Sequence, residues 1–239
     1  MLRKSWWLAL ALGLSGCTMS GGFNRNLLES RLQDGCAKTT EDEIKHIQTL
    51  KAQLNFPCRI AVALKCGNGS WRWTPKDRQC MEAWADALRK DGSASDVIFM
   101  STMFSQGENL QELRAAAAKH GADALLVLKG AAATDSYMNP AALFNVTVVG
   151  GFLVPGSHRD ALFLMEGGLV DVNNGFLYTS MEAEGEGRTL APTFIIEERD
   201  AIERAKQAAL TAFGPELLRR MRGLRATASP VVASGPTAK

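Results

Sequence analysis

The chain has 239 residues, of which 46% are hydrophobic and 22% are charged, with 27 basic and 25 acidic side chains. A chain of this length and composition can bury a core and form one domain of ordinary size. The near balance of charge argues against a nucleic-acid-binding protein, because such a protein needs a basic face to neutralise phosphates.

The chain opens with a secretory signal that ends in a cysteine. Arg3 and Lys4 precede an apolar stretch of about nine residues, which is too short to cross a bilayer as a helix of about 20 residues. Residues 14–17 read LSGC, and this pattern of leucine, two small residues and cysteine resembles the bacterial lipobox. The resemblance implies cleavage before Cys17 and diacylation of its thiol, and two or more acyl chains anchor a protein stably. An ordinary cleaved signal that contains a cysteine by chance is the alternative.

Removal of residues 1–16 takes away two of the 27 basic residues and no acidic one, so the mature chain has 25 of each. Thr18 follows the cysteine in place of an aspartate, which in the enteric sorting system implies transfer to the outer membrane. No later segment approaches about 18 uninterrupted apolar residues, so the lipid on Cys17 is the only membrane attachment that we predict. We therefore expect a domain on the periplasmic face of the outer membrane.

Residues 17–38 are rich in glycine, serine, asparagine and threonine, and we predict that they form a tether with some local structure. Thr40 and Glu43 then form a capping-box signature for a helix over residues 41–54. The apolar side chains of that helix fall on one face, namely Ile44, Ile47, Leu50 and Leu54. The run RIAVAL that follows is typical of a buried central strand.

The next elements alternate between helix and strand. Thr74, Pro75 and Asp77 supply a cap, a proline at the first helical position and an acid in the first turn of a second helix. This helix is predicted to end at Gly92. DVIFM is a second strand, a helix begins near Asn109, and DALLVLKG is a third strand. Apolar strands that alternate with helices indicate parallel pairing through right-handed crossovers, so this part predicts a βαβαβ unit.

Three strand-like runs follow, over residues 144–154, 161–172 and 176–184. Asn174 and Gly175 separate the last two runs and suit a two-residue type I′ hairpin turn. These runs therefore predict an antiparallel meander.

Residues 198–213 predict an amphipathic helix, which Gly214 and Pro215 interrupt before a further turn. The tail over residues 223–239 lacks a buried face and is predicted to be disordered. We therefore predict a single α/β domain over residues 39–222, with a mixed sheet of about six strands packed by helices.

Four of the five cysteines lie in the mature chain beyond Cys17, and an even number in an exported chain predicts two disulfides. Cys58 and Cys66 flank the first strand, which separates their Cα atoms by about 26 Å, so these two cannot pair. We prefer Cys66 with Cys80, because both lie at one end of a crossover unit, and Cys36 with Cys58. Free buried thiols are the alternative. Zinc binding is not predicted, because no Cys-x-x-Cys spacing occurs.

Trp71, Arg72 and Trp73 place two large aromatic side chains around a cation in the loop before the second helix. Tryptophan and arginine often anchor protein interfaces, so this loop is our candidate partner-binding site. The alternative is that the tryptophans cover the core.

Other chemistry is sparse in the sequence. Glu182, Glu184 and Glu186 alternate and so share one face of a strand, where a solvated edge strand is favoured over a cation-binding or partner-binding role. The three histidines are isolated and suit surface or capping roles: His46, His120 and His158. No catalytic motif, phosphate loop or zinc-protease motif occurs, so we predict no catalytic residue, no cofactor and no metal.

The block over residues 145–178, from NVTVVGGFLVPG to LVDVNNGFLY, resembles the rhombotarget lipoproteins, a group of predicted Gram-negative lipoproteins. The resemblance covers the lipobox and residues 58–220, implies an envelope location and supplies no catalytic residues. Some members of that family end in Gly-Gly, an apolar helix and a basic cluster for a rhomboid-type protease, whereas this chain ends in VVASGPTAK. The order of elements is also similar to modules of periplasmic lipoproteins that activate cell-wall synthases or build a secretion pore.

Together these features favour a noncatalytic outer-membrane lipoprotein whose periplasmic domain binds or scaffolds an envelope protein or polymer. An enzyme that acts on cell-wall or lipid substrates is the alternative, and a cleft with clustered titratable groups would favour it. A subunit of a ring-forming secretion assembly is a third hypothesis, which a single large closed oligomer in detergent would favour.

Overall fold

The computed structural model describes residues 20–33, 40–65, 71–101, 109–138, 157–191 and 198–228. The helices in these stretches are α1 (Arg25–Gln33), α2 (Glu41–Thr49), α3 (Pro75–Asp91), α4 (Leu110–Lys119) and α5 (Glu198–Ala228). The strands are β1 (Cys58–Leu64), β2 (Ala94–Phe99), β3 (Ala124–Met138), β4 (Ser157–Asp171) and β5 (Leu177–Ala191). No helix within these stretches is both long enough and apolar enough to cross a bilayer.

The strands form one mixed sheet in the order β2-β1-β3-β4-β5. β1 lies parallel to β2 and β3, with Ala61 opposite both Ile98 and Leu125, and β4 lies antiparallel to β3 and β5. The predicted α/β fold is confirmed. The described sheet has five strands, and β3 continues to Met138 and is itself the antiparallel neighbour of β4. The predicted strand over residues 144–154 lies outside the described residues.

One face of the sheet, which we call the core face, packs against α3 and α5 and carries the main hydrophobic core. The opposite face, which we call the cleft face, packs against α4 near β1 and against α1 near the far ends of β3 and β4. The two faces arise because successive strand residues point to opposite sides. Ile60 and Leu126 therefore belong to the core face, and Ala61 and Leu125 to the cleft face.

Most helix boundaries follow the capping signals in the sequence. Thr40 forms the predicted capping box with Glu43, and the predicted cap Thr74 also forms a capping box with Asp77. α3 ends at Gly92, which adopts φ +74°, a conformation that glycine tolerates without steric cost.

The predicted helix over residues 41–54 is too long, because α2 ends at Thr49 and has no buried residue. The chain becomes extended at Leu50, with ψ 140°, and Leu54 enters the core from this extended segment. The predicted apolar face of the helix is therefore wrong, and Ile47 is 55% exposed.

α5 buries its predicted apolar side chains on the core face, namely Ile202, Ala205, Ala209 and Phe213. The predicted interruption at Gly214 and Pro215 is wrong, since the helix is continuous through both residues. Gly214 is required for the contact with α3, because a Cβ atom there would lie 2.4 Å from Cδ1 of Trp84.

The end of α5 also differs from the prediction that residues 223–239 are disordered, since residues 223–228 are helical. Arg222 lies beside α3, where its Nε is 2.7 Å from Oδ1 of Asp91. Arg225 donates a hydrogen bond to the backbone carbonyl of Asp91. These two contacts with Asp91 add to the packing of α5 against α3. Residues 229–239 lie outside the described residues.

The turn between β4 and β5 is wider than the predicted type I′ turn. It spans residues 172–175, and only Gly175 in it adopts a positive φ, of +80°, whereas type I′ requires a positive φ at both central residues. The carboxylate of Asp171 accepts hydrogen bonds from the backbone N–H groups of Asn173 at 2.8 Å and Asn174 at 3.1 Å. This aspartate-based turn favours the wider loop.

Residues 20–33, which we predicted to belong to the tether, pack against the cleft face. Leu28 and Leu32 are buried in a small cluster with side chains of β3 and β4. Arg25 forms an ion pair with Glu184 of β5, with 2.8 Å between NH1 and Oε2. Leu28, Leu32 and Arg25 therefore help to dock on the sheet a segment that otherwise has the composition of a tether.

Candidate functional site

A cleft of about 780 Å³ opens on the cleft face, beside the start of α4. Residues from β3, β4, β5, α4 and the end of β1 line it, including Lys65, Leu113, Val127, Lys129, Glu166, Ser180 and Glu182. A volume of this size is within the range of ligand pockets in proteins. We therefore take the cleft as the candidate functional site.

Strand register brings three charged side chains of the cleft into one row. Lys129 lies directly opposite Glu166, and Glu166 lies directly opposite Glu182. Residues that are directly opposite in antiparallel strands point to the same side of the sheet. We call Lys129, Glu166 and Glu182 the charged row.

A second row beside the charged row keeps the cleft open. It consists of Val127, Gly168 and Ser180, which are also directly opposite one another. A Cβ atom at Gly168 would meet nothing closer than Cδ1 of Leu177, at 3.8 Å. The small side chains of this row therefore leave space above the sheet. Val127 supplies an apolar surface at one end of the row, and Ser180 supplies a hydroxyl at the other.

Burial and a neighbouring acid alter the protonation of Glu166. Desolvation is the main cause that raises the pKa of this carboxyl, the charge of Glu182 raises it further, and Lys129 opposes both. The ammonium of Lys129 donates a hydrogen bond to the carbonyl of Leu32 at 3.5 Å, which orients it beside α1. The cleft therefore holds a cation next to an acid that keeps its proton to a higher pH than a free glutamate does.

The charged row can serve binding or proton transfer. Within the part of the chain that the structure describes, no group of three or more histidine, cysteine, aspartate or glutamate side chains could hold a metal ion. A lysine and two glutamates beside apolar side chains suit a ligand that carries both signs of charge and an apolar group. A carboxyl with a raised pKa beside a second carboxyl also has the form of a general acid.

The Trp71-Arg72-Trp73 loop lies mostly on the core. Trp71 is 7% exposed, and its ring centroid lies 4.8 Å from that of Phe163 and 5.1 Å from that of Trp73. Trp73 is partly buried and donates a hydrogen bond from Nε1 to the carbonyl of Lys65 at 3.3 Å. The tryptophans thus cover the core, as the alternative interpretation held. A partner-binding role for the loop stays a prediction, which now depends on the exposed side chain of Arg72.

A buried ion pair fixes this loop to α5. Lys206 and Asp77 have fully buried side chains, with 2.7 Å between Nζ and Oδ2. Lys206 also donates to the carbonyl of Arg72 and to Glu203, each at 2.8 Å, and Gln207 donates to the other oxygen of Asp77. Three acceptors satisfy the three N–H groups of the ammonium, so this network is structural. Lys206 was not predicted to be buried, although it directly follows Ala205 on the predicted buried face.

The structure does not support the predicted disulfides. Cys58 and Cys80 are free thiols, and their predicted partners Cys36 and Cys66 lie outside the described residues, as does Cys17. Cys58 is fully buried and its Sγ donates to a backbone carbonyl at 3.4 Å. Desolvation raises the pKa of its thiol to about 12. Cys58 therefore has the surroundings of a buried structural thiol, which matches the alternative of free buried thiols.

The alternating glutamates lie on an edge strand, as predicted, because β5 has one strand neighbour in the described sheet. Glu182, Glu184 and Glu186 are all exposed on one face. Glu184 pairs with Arg25 of α1, whereas Glu182 belongs to the charged row. The shared face of the three glutamates was predicted from the sequence, whereas the position of Glu182 at a cleft was not.

The histidines lie away from the cleft. His46 is exposed on α2, and His120 is the C-cap of α4, so the predicted surface and capping roles are confirmed for these two. His158 lies in β4 rather than in a turn, and its ring stacks on Tyr137 with 4.9 Å between centroids.

No protein-family model matches the chain, and no curated protein matches it either. The solved structures that are similar to it include the LpoB C-terminal domain from Salmonella enterica, at 14% identity and a TM-score of 0.30, which covers 59% of this chain and 90% of that chain. A minor lipoprotein from Acinetobacter baumannii has 7% identity and a TM-score of 0.35, and covers 71% of this chain and 93% of that chain.

Lipoprotein GNA1162 from Neisseria meningitidis has 12% identity and a TM-score of 0.30, and covers 72% of this chain and 99% of that chain. Two of these three similar structures are lipoproteins by name. Because the likeness is distant, the functional proposal relies on the residues of this chain. The resemblance to the rhombotarget lipoproteins stays a prediction.

Proposed function

We propose that this chain is a noncatalytic outer-membrane lipoprotein whose periplasmic domain binds an envelope partner in the cleft. The LSGC sequence at residues 14–17 supports anchoring through Cys17. The observation that carries the binding proposal is the charged row in a cleft of about 780 Å³. Lys129 and Glu166 are partly buried on the inner strands β3 and β4, where a charge is costly to desolvate, so their presence is better explained by a ligand than by folding.

The partner that the cleft suits best is a polypeptide segment. Leu110 and Leu177 line the cleft with exposed apolar side chains, and Lys129 and Glu182 offer charges of opposite sign. β5 borders the cleft and is an edge strand of the described sheet, and an added strand would pair with such an edge. An envelope polymer with charged and apolar groups would use the same side chains and is the other ligand class in this proposal.

Copurification of the lipidated protein from outer-membrane fractions tests the proposal. Lys129→Glu places three acids in the charged row and is expected to abolish capture of the partner. Lys90→Glu makes the same charge change on α3, on the opposite side of the sheet, and is expected to leave capture unchanged. Equal capture by both variants would remove the cleft from the proposal.

A second candidate function is catalysis, with Glu166 as a general acid. The observation that favours it is the raised pKa of Glu166 beside Glu182 in a cleft, which is the clustered arrangement that an enzyme on cell-wall or lipid substrates would need. Purified protein is incubated with peptidoglycan or with phospholipid, and products are followed by mass spectrometry. Turnover that Glu166→Gln removes would favour this function, and the absence of turnover leaves the binding proposal in place.

Anchoring is tested separately from binding. Mass spectrometry of the mature amino-terminal peptide should show an acylated Cys17, and Cys17→Ser should release the protein from the membrane fraction. An unmodified peptide beginning at another residue would favour the ordinary cleaved signal.

The mass of the detergent-solubilised protein tests the ring hypothesis. A subunit of a ring is expected to give the mass of one large closed oligomer.

A further inference from the structure

The amino-terminal segment is fixed to the sheet from residue 20 onward. Ser20 Oγ donates a hydrogen bond to Oδ2 of Asp135, and the N–H of Gly22 donates to the same oxygen at 3.0 Å. The hydrogen bond from Ser20 is the main cause that lowers the pKa of Asp135, so the acceptor stays ionised at neutral pH. The leucines of α1 then hold the following residues on the cleft face.

This attachment leaves little free chain between the sheet and the proposed lipid. The step from Cys17 to Ser20 spans at most about 11 Å when fully extended. Asp135 lies near the end of β3, beside the start of β4 and the end of β5. An acyl group on Cys17 therefore brings this end of the sheet close to the bilayer surface.

The side chains at that end suit a lipid surface. Tyr137 lies opposite His158, and His158 lies opposite Leu190, so the three share one row on the cleft face. Leu190 is 51% exposed, and tyrosine is a residue type that is enriched where membranes meet water. We call Tyr137, His158 and Leu190 the end row.

We propose that the end row rests on the headgroup region of the bilayer that holds the acylated Cys17, with the strands rising away from the membrane. The inference deepens the proposed function and rests on lipidation of Cys17. The charged row lies about 26 Å farther along β4 at the usual rise per residue. The cleft would then open into the periplasm, where a partner in the aqueous space reaches it.

The experiment uses intact lipidated protein in vesicles of phosphatidylethanolamine and phosphatidylglycerol that carry a quencher at headgroup depth. An environment-sensitive fluorescent amino acid replaces Leu190 in one sample and Asn174 in the other. Asn174 lies in the turn at the opposite end of β4 and β5, about 43 Å away by strand length. Quenching at position 190 should be several-fold stronger than at position 174. Equal quenching at both positions, or stronger quenching at position 174, would overturn the proposal.

The hydrogen bonds from Ser20 and Gly22 to Asp135, which we call the clamp, provide a second test. Asp135→Ala removes the acceptor for Ser20 and Gly22 and should reduce quenching at position 190, whereas Asp86→Ala on α3 should not. Unchanged quenching in Asp135→Ala would show that the clamp does not set the orientation. Flotation with the vesicles reports anchoring independently, since Cys17→Ser should not float. Failure of the wild type to float would contradict the anchoring proposal, whereas flotation without quenching at position 190 would contradict the orientation alone.

Discussion

Glycine has opposite structural effects on the two faces of the sheet. On the core face, a Cβ atom at Gly185 would lie 2.2 Å from the carbonyl oxygen of Ala205, and one at Gly187 would lie 2.1 Å from that of Ala201. On the cleft face, a Cβ atom at Gly168 would have no neighbour closer than 3.8 Å. Glycine thus lets the backbones of β5 and α5 touch on one face and leaves a cleft open on the other.

The two faces also differ in how their charged side chains are buried and paired. The core face accepts one fully buried ion pair, and every N–H of its ammonium is satisfied. The cleft face carries a lysine and two glutamates in one row around open space. We infer that the core face provides the stability of the domain and that the cleft face provides its binding site. Substitutions on the core face should therefore change the free energy of unfolding, and substitutions in the cleft should change binding and protonation.

The largest effect is expected for Lys206→Met, which leaves Asp77 buried without its cation. Loss of one partner of a buried ion pair typically costs about 3–5 kcal/mol in the free energy of unfolding. Chemical denaturation checks this value, with the exposed Lys90→Met as the matched control that should change it little. A loss no larger than that of the control would contradict the structural role of this pair.

Gly185→Ala should be the next most damaging change, because the added methyl group meets helix backbone that cannot rotate away. We expect a loss of about 3 kcal/mol in the free energy of unfolding, the upper part of the usual range for overpacking. Gly168→Ala is the control on the cleft face and should be close to neutral. Similar values for the two variants would remove the contrast between the faces.

The reactivity of the two thiols should distinguish the buried core from its periphery. This contrast involves a smaller energetic effect than the two substitutions above. Cys58 is fully buried with a pKa raised to about 12, whereas Cys80 is partly exposed. An alkylating reagent at pH 8 should therefore modify Cys80 and spare Cys58 until the protein unfolds. Alkylation is read by peptide mass spectrometry. A Cys58 that stays unmodified after unfolding without reductant would instead indicate the Cys36 to Cys58 disulfide.

The smallest effect is expected for protonation in the cleft. The pKa of Glu166 is raised in the folded state, so the stability that its proton contributes is fully present below the pKa of the unfolded chain and is lost as pH rises through the folded pKa. Glu182→Gln removes a like charge and should lower the pKa of Glu166, as followed by carboxyl NMR titration. Glu184→Gln removes a charge from the same face of β5 and should leave that pKa unchanged. An equal shift in both variants would show that the interaction is not local.

Local patterns predicted much of the fold. The capping box at Thr40, the cap at Thr74 and the helix end at Gly92 are confirmed because each depends on residues within one turn of the helix. The alternation of apolar strands with helices was enough to predict parallel pairing of β1 with its neighbours. The edge position of β5 in the described sheet also agrees with the prediction from its alternating acids.

Contacts between distant segments could not be predicted from the sequence. Lys129 follows the apolar run ALLVL in β3, and Glu166 interrupts the run ALFLMEGGLV in β4, which was a usable signal for the cleft. Their partnership depends on the register of β3 with β4, which no local pattern fixes. The docking of α1 depends on Leu28 and Leu32 in a segment with the composition of a tether. Pro215 is accommodated within α5, which local propensity argues against.

The most direct test of the binding claim is crosslinking in cells through a photoreactive residue at Ser180 in the cleft, with Arg72 and Glu82 as parallel positions. Ser180 borders the charged row, whereas Glu82 is exposed on α3 on the other side of the sheet. We predict one dominant envelope product from position 180 that Lys129→Glu removes, and no such product from position 82. A product from position 72 or 82 with none from position 180 would contradict the claim that the cleft is the binding site.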